Sequence, residues 1–139
     1  MRYALLLDDE QIERTILEAI LSEAGFDVYT SPISTASSLA VDDHAFDIAI
    51  LDVSAGNQAR ILDVCNGLAG TAILVMTDNG TIKQALRLNA IAGAVHYIKK
   101  PFSKEEFLAA VSRTIQHAQV LRENRALKQQ EAIPTSHNS

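Results

Sequence analysis

The sequence predicts an α/β domain with a five-stranded parallel sheet of strand order 2-1-3-4-5, helices on both faces and an extended C-terminal helix. One observation behind this prediction is that short apolar runs alternate five times with segments of helical periodicity. A second is that polar residues follow the apolar runs, as in open α/β sheets that bind ligands at one edge. The third is the composition, since 47% hydrophobic and 21% charged residues among 139 fit one globular domain.

The five predicted strands are short and mostly apolar, as expected of strands that are buried on both faces. They cover residues 3–7, 26–29, 48–51, 72–76 and 94–98. No apolar run approaches the roughly 20 residues of a membrane span. The first run is also too short for a signal peptide, because Asp8 and Asp9 follow it at once. The single cysteine, Cys65, excludes an intramolecular disulfide and favours a reducing, cytoplasmic location.

The first four predicted helices lie between the strands. Apolar residues recur at helical spacing from Ile12 to Leu21, and Gly25 ends this first helix. The other connecting helices cover residues 34–45, 61–68 and 82–88. Right-handed crossovers between parallel strands place such helices on both faces of the sheet.

The final predicted helix is longer than the sheet beneath it. Ser103 and Glu106 have the spacing of a capping box at its start. Its inward apolar stripe consists of Leu108, Val111, Ile115, Ala118 and Leu121. Good helix formers continue to Gln130, which gives the helix a length of about 40 Å. We therefore divide the chain into a domain at residues 1–121 and a helical extension with a polar tail at 122–139. The extension is interpreted as a linker, a homodimer seam or a frayed end.

The net charge of −5 is unevenly distributed along the chain. Acidic residues outnumber basic ones over residues 1–98, whereas basic residues dominate residues 99–128. Because an acidic body repels phosphates, the charge argues against direct nucleic-acid binding. The basic stretch is interpreted as a solvated helix face.

Charged and hydroxyl side chains gather at the carboxyl ends of the predicted strands. Asp8 and Asp9 follow the first strand, and Asp52 follows the third. Thr77 follows the fourth strand, and Lys100 comes just after the fifth. Because the first and third strands are neighbours in the predicted order, three carboxylates meet at one edge of the sheet. Ionised carboxylates this close repel one another unless one is protonated or a cation binds.

The predicted edge is chemically suited to phosphoryl transfer. Oxygen ligands in a partly open site suit Mg²⁺, and an aspartate beside this ion can attack a phosphoryl group. A lysine offsets the developing charge, and a threonine hydroxyl hydrogen-bonds the transferred group. Each residue alone also has an ordinary interpretation. Asp8 is a candidate helix cap, Asp52 a loop carboxylate and Lys100 a surface lysine.

Four short motifs at the ends of predicted strands resemble those of a bacterial response-regulator receiver domain. They read LLDDE at residues 6–10, FDIAILD at 46–52, ILVMT at 73–77 and YIKKPF at 97–102. The resemblance extends over residues 2–120. It implies the flavodoxin-like architecture predicted above and a phosphoprotein of two-component signal transduction. In this family a sensor histidine kinase or phosphotransfer protein donates the phosphoryl group, and the receiver acts on a downstream protein target or output domain.

The resemblance implies a role for each carboxylate at the edge. Asp52 is the phosphoacceptor, Asp9 binds Mg²⁺ directly and Asp8 binds it through water. The backbone carbonyl of Ser54 completes the metal shell. Such a domain catalyses only its own phosphorylation and dephosphorylation and is not a turnover enzyme. A hydrolase with an aspartyl nucleophile normally has a second acid where this chain has Ser54.

The resemblance also implies a conformational switch. Lys100 pairs with the phosphoryl group, and its peptide bond to Pro101 is expected to be cis. Thr77 moves toward a phosphoryl oxygen, and Tyr97 turns inward in response. The new charge thereby biases a packing change between two states.

The chain departs from the family pattern near the acceptor. The segment 53–60 contains no proline, and Arg60 stands where a glycine is expected. Asp78 occupies a position where a small residue normally follows the threonine. These departures support an alternative, a pseudo-receiver that acts as a non-phosphorylated protein-binding module. Another alternative is the N-terminal receiver fragment of a longer transcriptional regulator. A flavodoxin-like cofactor binder fits poorly, because the acidic first loop repels the cofactor's phosphate.

Overall fold

The computed structural model describes residues 2–33, 46–53, 58–68, 71–78 and 94–138. Its elements are, in chain order, β1 (Arg2–Leu7), α1 (Gln11–Glu23), β2 (Phe26–Ser31), β3 (Ile48–Asp52), α2 (Gln58–Asn66), β4 (Ala72–Thr77), β5 (Ala94–Lys99) and α3 (Lys104–Asn138). The five predicted strands are confirmed, as are the predicted helices that correspond to α1, α2 and α3. The helices predicted at 34–45 and 82–88 lie outside the described residues.

The five strands form one sheet in the order β2-β1-β3-β4-β5, and every neighbouring pair is parallel. This is the predicted fold class and strand order. Asp52 is paired with Met76 of β4, and Thr77 is paired with Lys99 of β5. Because these pairs stand at the ends of their strands, the last residues of β3, β4 and β5 share one edge of the sheet.

Alternate side chains of each strand enter two separate hydrophobic cores, as the two-residue repeat of a strand requires. Leu5 and Leu7 of β1 lie in the core that α2 covers, which also contains the free thiol of Cys65. Ala4 and Leu6 lie in the opposite core, which α1 and α3 cover. Helices therefore lie on both faces, and Cys65 is completely buried.

Two local signals fix the end of α1 and the start of α3. Gly25 has a φ of 99°, in the left-handed region, and its N–H donates to the carbonyl of Ser22 at 3.1 Å. At α3, the N–H of Glu106 donates to the Ser103 hydroxyl at 3.0 Å. The N–H of Ser103 donates in return to the Glu106 carboxylate at 3.2 Å. The predicted capping box is thus confirmed, and it positions α3 directly after the loop that carries Lys100.

The buried face of α3 contains the predicted stripe and, in addition, Phe107. Leu108 is only half-buried, whereas Phe107 is fully buried and stacks on Phe102 with 5.5 Å between ring centroids. Leu108 and Phe107 precede Val111 by three and four residues. Residues at either spacing lie on the same face of a helix, so both can face the sheet. Both residues contact the core on this face, and Phe107 is the more deeply buried of the two.

Helix α3 contains 35 residues and is about 50 Å long, well beyond the extent of the strands. It continues to Asn138, through the segment expected to be a polar tail. Polar residues give no apolar periodicity, so the sequence pattern does not show where this helix ends. Among the described residues, no helix has both the length and the hydropathy that a membrane span requires.

Candidate functional site

Loops that follow β1 and β5 meet the last residue of β3 at the carboxyl edge of the sheet. The N–H of Asp8 donates to the carbonyl of the last residue of β2 at 3.1 Å. The Arg14 guanidinium donates to the backbone carbonyl of Asp8 at 2.6 Å. On the other side, the N–H of Lys100 donates to the carbonyl of Thr77 at 2.9 Å. These bonds hold the backbone from which the side chains of Asp8 and Lys100 project.

Asp8 is a completely buried carboxylic acid. Its Oδ1 accepts a hydrogen bond from the N–H of Glu10 at 2.9 Å. Its Oδ2 is buried and has no hydrogen-bond partner within the described parts of the chain. Burial raises the pKa of Asp8 to about 7, and the like charges of Asp52 and Glu13 add to the rise. Asp8 therefore binds a proton or a cation readily at neutral pH.

Lys100 joins two carboxylates from different elements. Its Nζ lies 2.5 Å from Oδ1 of Asp52 and 2.7 Å from Oε1 of Glu13. Burial lowers the pKa of Lys100, but hydrogen bonds to both carboxylates outweigh this effect and raise the pKa to about 12. Lys100 is therefore a permanent cation in contact with Asp52. Its peptide bond to Pro101 is cis, as expected.

Glu13 is the member of this cluster that the sequence analysis missed. One carboxylate oxygen each from Asp8, Glu13 and Asp52 lie within 4.8 Å of one another. A signal was available in the sequence, because Glu13 lies in the first turn of α1, which begins at this edge of the sheet. It was missed because Glu13 is not part of the family's motifs, and an acid in the first turn of a helix is common.

The structure describes most of the other predicted site residues. Asp9 is exposed and contributes no oxygen to the cluster of Asp8, Glu13 and Asp52. Thr77 is buried at the end of β4. Tyr97 is half-buried, packs against the core on the α2 face and has its pKa raised by burial. Ser54, whose carbonyl the resemblance assigns to the metal shell, lies outside the described residues.

Two residues that depart from the family pattern are also described. The Arg60 guanidinium Nε donates to the backbone carbonyl of Ile33 at 3.3 Å. This bond connects the start of α2 to the segment that follows β2, so Arg60 has a structural contact at the position where a glycine is expected. Asp78 is exposed, at the end of β4.

The donor atoms at this edge fit a hard divalent cation. Asp8, Asp52 and Glu13 supply only carboxylate oxygens, which Mg²⁺ prefers, and the single ammonium of Lys100 leaves negative charge in excess. The buried Oδ2 of Asp8, which lacks a hydrogen-bond partner among the described residues, is the kind of atom that a cation satisfies. The acidic cluster is therefore compatible with Mg²⁺.

Known proteins with similar sequences are transcriptional and response regulators. The chain is 33% identical over 121 residues to the transcriptional regulatory protein KdpE of Mycobacterium tuberculosis. The aligned region covers 83% of this chain and 51% of KdpE. It is 31% identical over 130 residues to a putative NtrX-like response regulator of Rickettsia bellii, covering 89% of this chain and 27% of that protein. The chain thus spans about half, or less, of the length of these relatives.

Solved structures show the same fold at lower sequence identity. A CheY-like response regulator receiver domain protein from Methanospirillum hungatei has a TM-score of 0.72 and 17% identity, over 86% of this chain and 97% of that chain. NtrX from Brucella abortus has a TM-score of 0.74 and 22% identity, over 91% of this chain and 30% of that chain. The sequence also matches the response regulator receiver domain family over residues 4–112. Since this match covers most of the chain, the protein belongs to the response regulator receiver domain family.

Proposed function

We propose that this domain accepts a phosphoryl group on Asp52 from the phosphohistidine of a sensor histidine kinase or phosphotransfer protein, with Mg²⁺ bound. The observation that carries the proposal is the 2.5 Å contact between Oδ1 of Asp52 and Nζ of Lys100, beside buried Asp8. The arrangement supports the proposal because it combines a carboxylate nucleophile, an ammonium group and an oxygen ligand for a cation. Phosphoryl transfer depends mainly on such positioning and charge stabilisation.

The transfer exchanges one bond to phosphorus for another. A carboxylate oxygen of Asp52 bonds to phosphorus as the bond between phosphorus and the donor's imidazole nitrogen breaks. The electron pair of the broken bond returns to that nitrogen, and Asp52 becomes an acyl phosphate. Lys100 offsets the charge on the phosphoryl oxygens, and Mg²⁺ supplies further positive charge when bound. We assign the ion to Asp8, Asp9, Asp52 and the backbone carbonyl of Ser54.

We assign the response to phosphorylation to Thr77 and Tyr97. Thr77 is 3% exposed at the end of β4, one strand away from Asp52. In this proposal its hydroxyl donates a hydrogen bond to a phosphoryl oxygen. Tyr97 is half-buried on β5, the next strand along, and we assign to it the inward turn of its ring. The altered surface around β5 is then recognised by a downstream protein or an output domain.

The surface of α1 beside Lys100 is suited to the phosphodonor protein. A donor must bring its phosphohistidine into bonding distance of Asp52, so it has to contact the surface around this site. A cavity of about 530 Å³ lies there between α1 and residues 100–104. Ile12 and Ile16 on its rim are 72% and 55% exposed. Neighbouring apolar side chains that protrude this far favour a protein contact, so we propose that the donor docks on α1.

The remaining parts of the proposal concern location and output. We place the domain in the cytoplasm, because its only cysteine is a free thiol and a reducing compartment keeps thiols in that state. We propose that α3 beyond Leu121 is a linker to an output domain or a seam between two copies. The relatives named above support the linker, since they are longer than this chain.

Incubation with Mg²⁺ and acetyl phosphate tests the proposed function. Intact mass spectrometry is expected to show one added phosphoryl group on the wild-type protein. The Asp52→Asn variant, or wild-type protein in EDTA, is expected to show none. An unmodified wild-type protein that is folded contradicts the proposal and favours the pseudo-receiver, a protein-binding module that is not phosphorylated.

A further inference from the structure

Glu13 is an acidic side chain that the phosphoryl-transfer scheme leaves without a role. It lies in the first turn of α1, and its Oε1 is 2.7 Å from Nζ of Lys100. The same ammonium group is 2.5 Å from Oδ1 of Asp52. The Glu13 and Asp52 side chains are only 21% and 17% exposed, so water screens this arrangement weakly. Lys100 therefore connects a carboxylate of α1 to the proposed phosphoacceptor.

Two physical effects of Glu13 oppose the arrival of phosphoryl charge at Asp52. The lysine ammonium is a compact point charge, so an anion that already touches it weakens its attraction for a second anion. Glu13 also repels a phosphoryl group on Asp52 because both are negatively charged. One of its oxygens lies within 4.8 Å of oxygens of Asp8 and Asp52. A phosphoryl group on Asp52 must therefore compete with Glu13 for Lys100 and also tolerate its negative charge.

We propose that Glu13 is a positioning residue that holds Lys100 in the unphosphorylated domain and competes with the phosphoryl group for the lysine ammonium. The inference rests on the proposed function and deepens it, because it concerns how tightly the same site holds a phosphoryl group. Glu13 keeps Lys100 oriented toward Asp52 before transfer. It also weakens binding of the phosphoryl group, so only a strong phosphoryl contact releases Lys100 from α1.

The position of Lys100 favours this competition over direct metal binding by Glu13. Oε1 of Glu13 already has the ammonium of Lys100 at 2.7 Å, whereas Oδ2 of Asp8 is buried with neither a hydrogen bond nor an ion pair among the described residues. The two roles predict different results when the charge of Glu13 is removed. Loss of a metal ligand weakens Mg²⁺ binding, whereas loss of a competing anion strengthens binding of the phosphoryl group.

The test compares the wild-type protein with Glu13→Gln, which keeps the shape of the side chain and removes its charge. Isothermal titration calorimetry measures the affinity for Mg²⁺ alone, and then for beryllium fluoride, a phosphoryl mimic, at saturating Mg²⁺. We expect beryllium fluoride to bind about three- to tenfold more tightly to Glu13→Gln, with Mg²⁺ affinity lowered less than about tenfold because one nearby negative charge is lost. Glu13→Ala, which leaves no group to contact Lys100, is expected to show a shift in the same direction.

Glu23→Gln is the matched control, because it removes the same charge from the other end of α1. Glu23 pairs there with Lys104 at 3.3 Å. It lies about 15 Å along the helix from Glu13, beyond the Debye length of about 8 Å at physiological ionic strength. Both affinities of this variant are expected to equal those of the wild-type protein.

The possible results separate the inference from the proposed function. If the wild-type protein binds beryllium fluoride and neither Glu13 variant binds it more tightly, the inference is overturned and the proposed function stands. A loss of Mg²⁺ affinity of more than about tenfold in Glu13→Gln also overturns it, and assigns Glu13 to the metal ligands instead. Failure of the wild-type protein to bind beryllium fluoride overturns both.

Discussion

The carboxylate of Asp52 and the ammonium of Lys100 meet at 2.5 Å although their strands are not neighbours in the sheet. Strand β4 lies between β3, which ends in Asp52, and β5, which Lys100 follows. The N–H of Lys100 bonds to the carbonyl of Thr77 at the end of β4, which keeps its backbone at the sheet edge. The long lysine side chain then reaches past β4 to Asp52. The proposed site therefore depends on the strand order as much as on the residues themselves.

Replacement of Lys100 by methionine is expected to destabilise the Mg²⁺-free domain by about 1–3 kcal/mol. The reason is that the partly buried carboxylates of Asp52 and Glu13 lose their shared cation. Urea denaturation at pH 8 in EDTA measures this change. The control is Lys99→Met, because Lys99 is the adjacent lysine and is exposed. Equal stability of the two variants would show that the ion pairs of Lys100 make no net contribution.

The stability of the Mg²⁺-free domain is expected to fall as the pH rises from about 4 to about 7. Folding raises the pKa of Asp8 from 3.8 to about 7, so the protonated acid favours the folded state. The stabilisation is complete below pH 3.8 and is lost as the pH rises to about 7. Asp8→Asn cannot ionise and is therefore expected to be about 2–4 kcal/mol more stable than the wild-type protein at pH 8 in EDTA.

Urea denaturation of both proteins between pH 4 and pH 8 checks this prediction for Asp8. The difference should shrink toward pH 4 and also when Mg²⁺ is added, because the ion binds the ionised carboxylate and stabilises the folded wild-type protein. In EDTA, Asp9→Asn is the control, since Asp9 is exposed and outside the cluster. A pH-independent difference between Asp8→Asn and the wild-type protein would contradict the account.

Phe107 is expected to contribute more to stability than its neighbour Leu108. Phe107 is fully buried between α3 and the sheet, so Phe107→Ala should cost about 3–5 kcal/mol through lost burial and a residual cavity. Leu108 is only half-buried, so Leu108→Ala should cost about 1–2 kcal/mol. Thermal or urea unfolding of the two variants gives the comparison. A larger loss in Leu108→Ala would contradict the observed orientation of α3.

The boundary predicted at residue 121 is tested by a truncated chain that ends there. Leu121 is half-buried on the core, whereas the next three residues, 122–124, are exposed. Removal of residues 122–139 is therefore expected to change the free energy of unfolding by less than about 1 kcal/mol. Sedimentation of both forms shows in addition whether the removed helix joins two copies. A large loss of stability without a change in oligomeric state would place the extension in the domain core.

Much of the fold follows from patterns that are local in the sequence. Apolar runs identify the strands, and the capping box of Ser103 and Glu106 identifies the start of α3. These signals work because a buried parallel strand and a helix terminus each impose their own residue pattern. The predicted stripe includes Leu108, which packs half-buried against the core, but omits Phe107, which is fully buried. The stacking of Phe107 on Phe102 joins α3 to the loop before it, so the helical periodicity does not show it.

The candidate site was predictable where each residue stands at the end of a strand. Asp8, Asp52, Thr77 and Lys100 have this position, so the strand order brings them to one edge. Glu13 was not predictable in the same way, because it comes from a helix. Its contact with Lys100 depends on how α1 is oriented on the sheet, which the periodicity of the helix does not specify.

The position of the phosphoryl group on the protein tests the central claim most directly. After reaction with Mg²⁺ and acetyl phosphate, reduction by borohydride converts an aspartyl phosphate to an alcohol, and peptide mass spectrometry then identifies the modified residue. The account predicts one modified residue, Asp52, with loss of the modification in Asp52→Asn. Modification at another residue, with Asp52 intact, would contradict it.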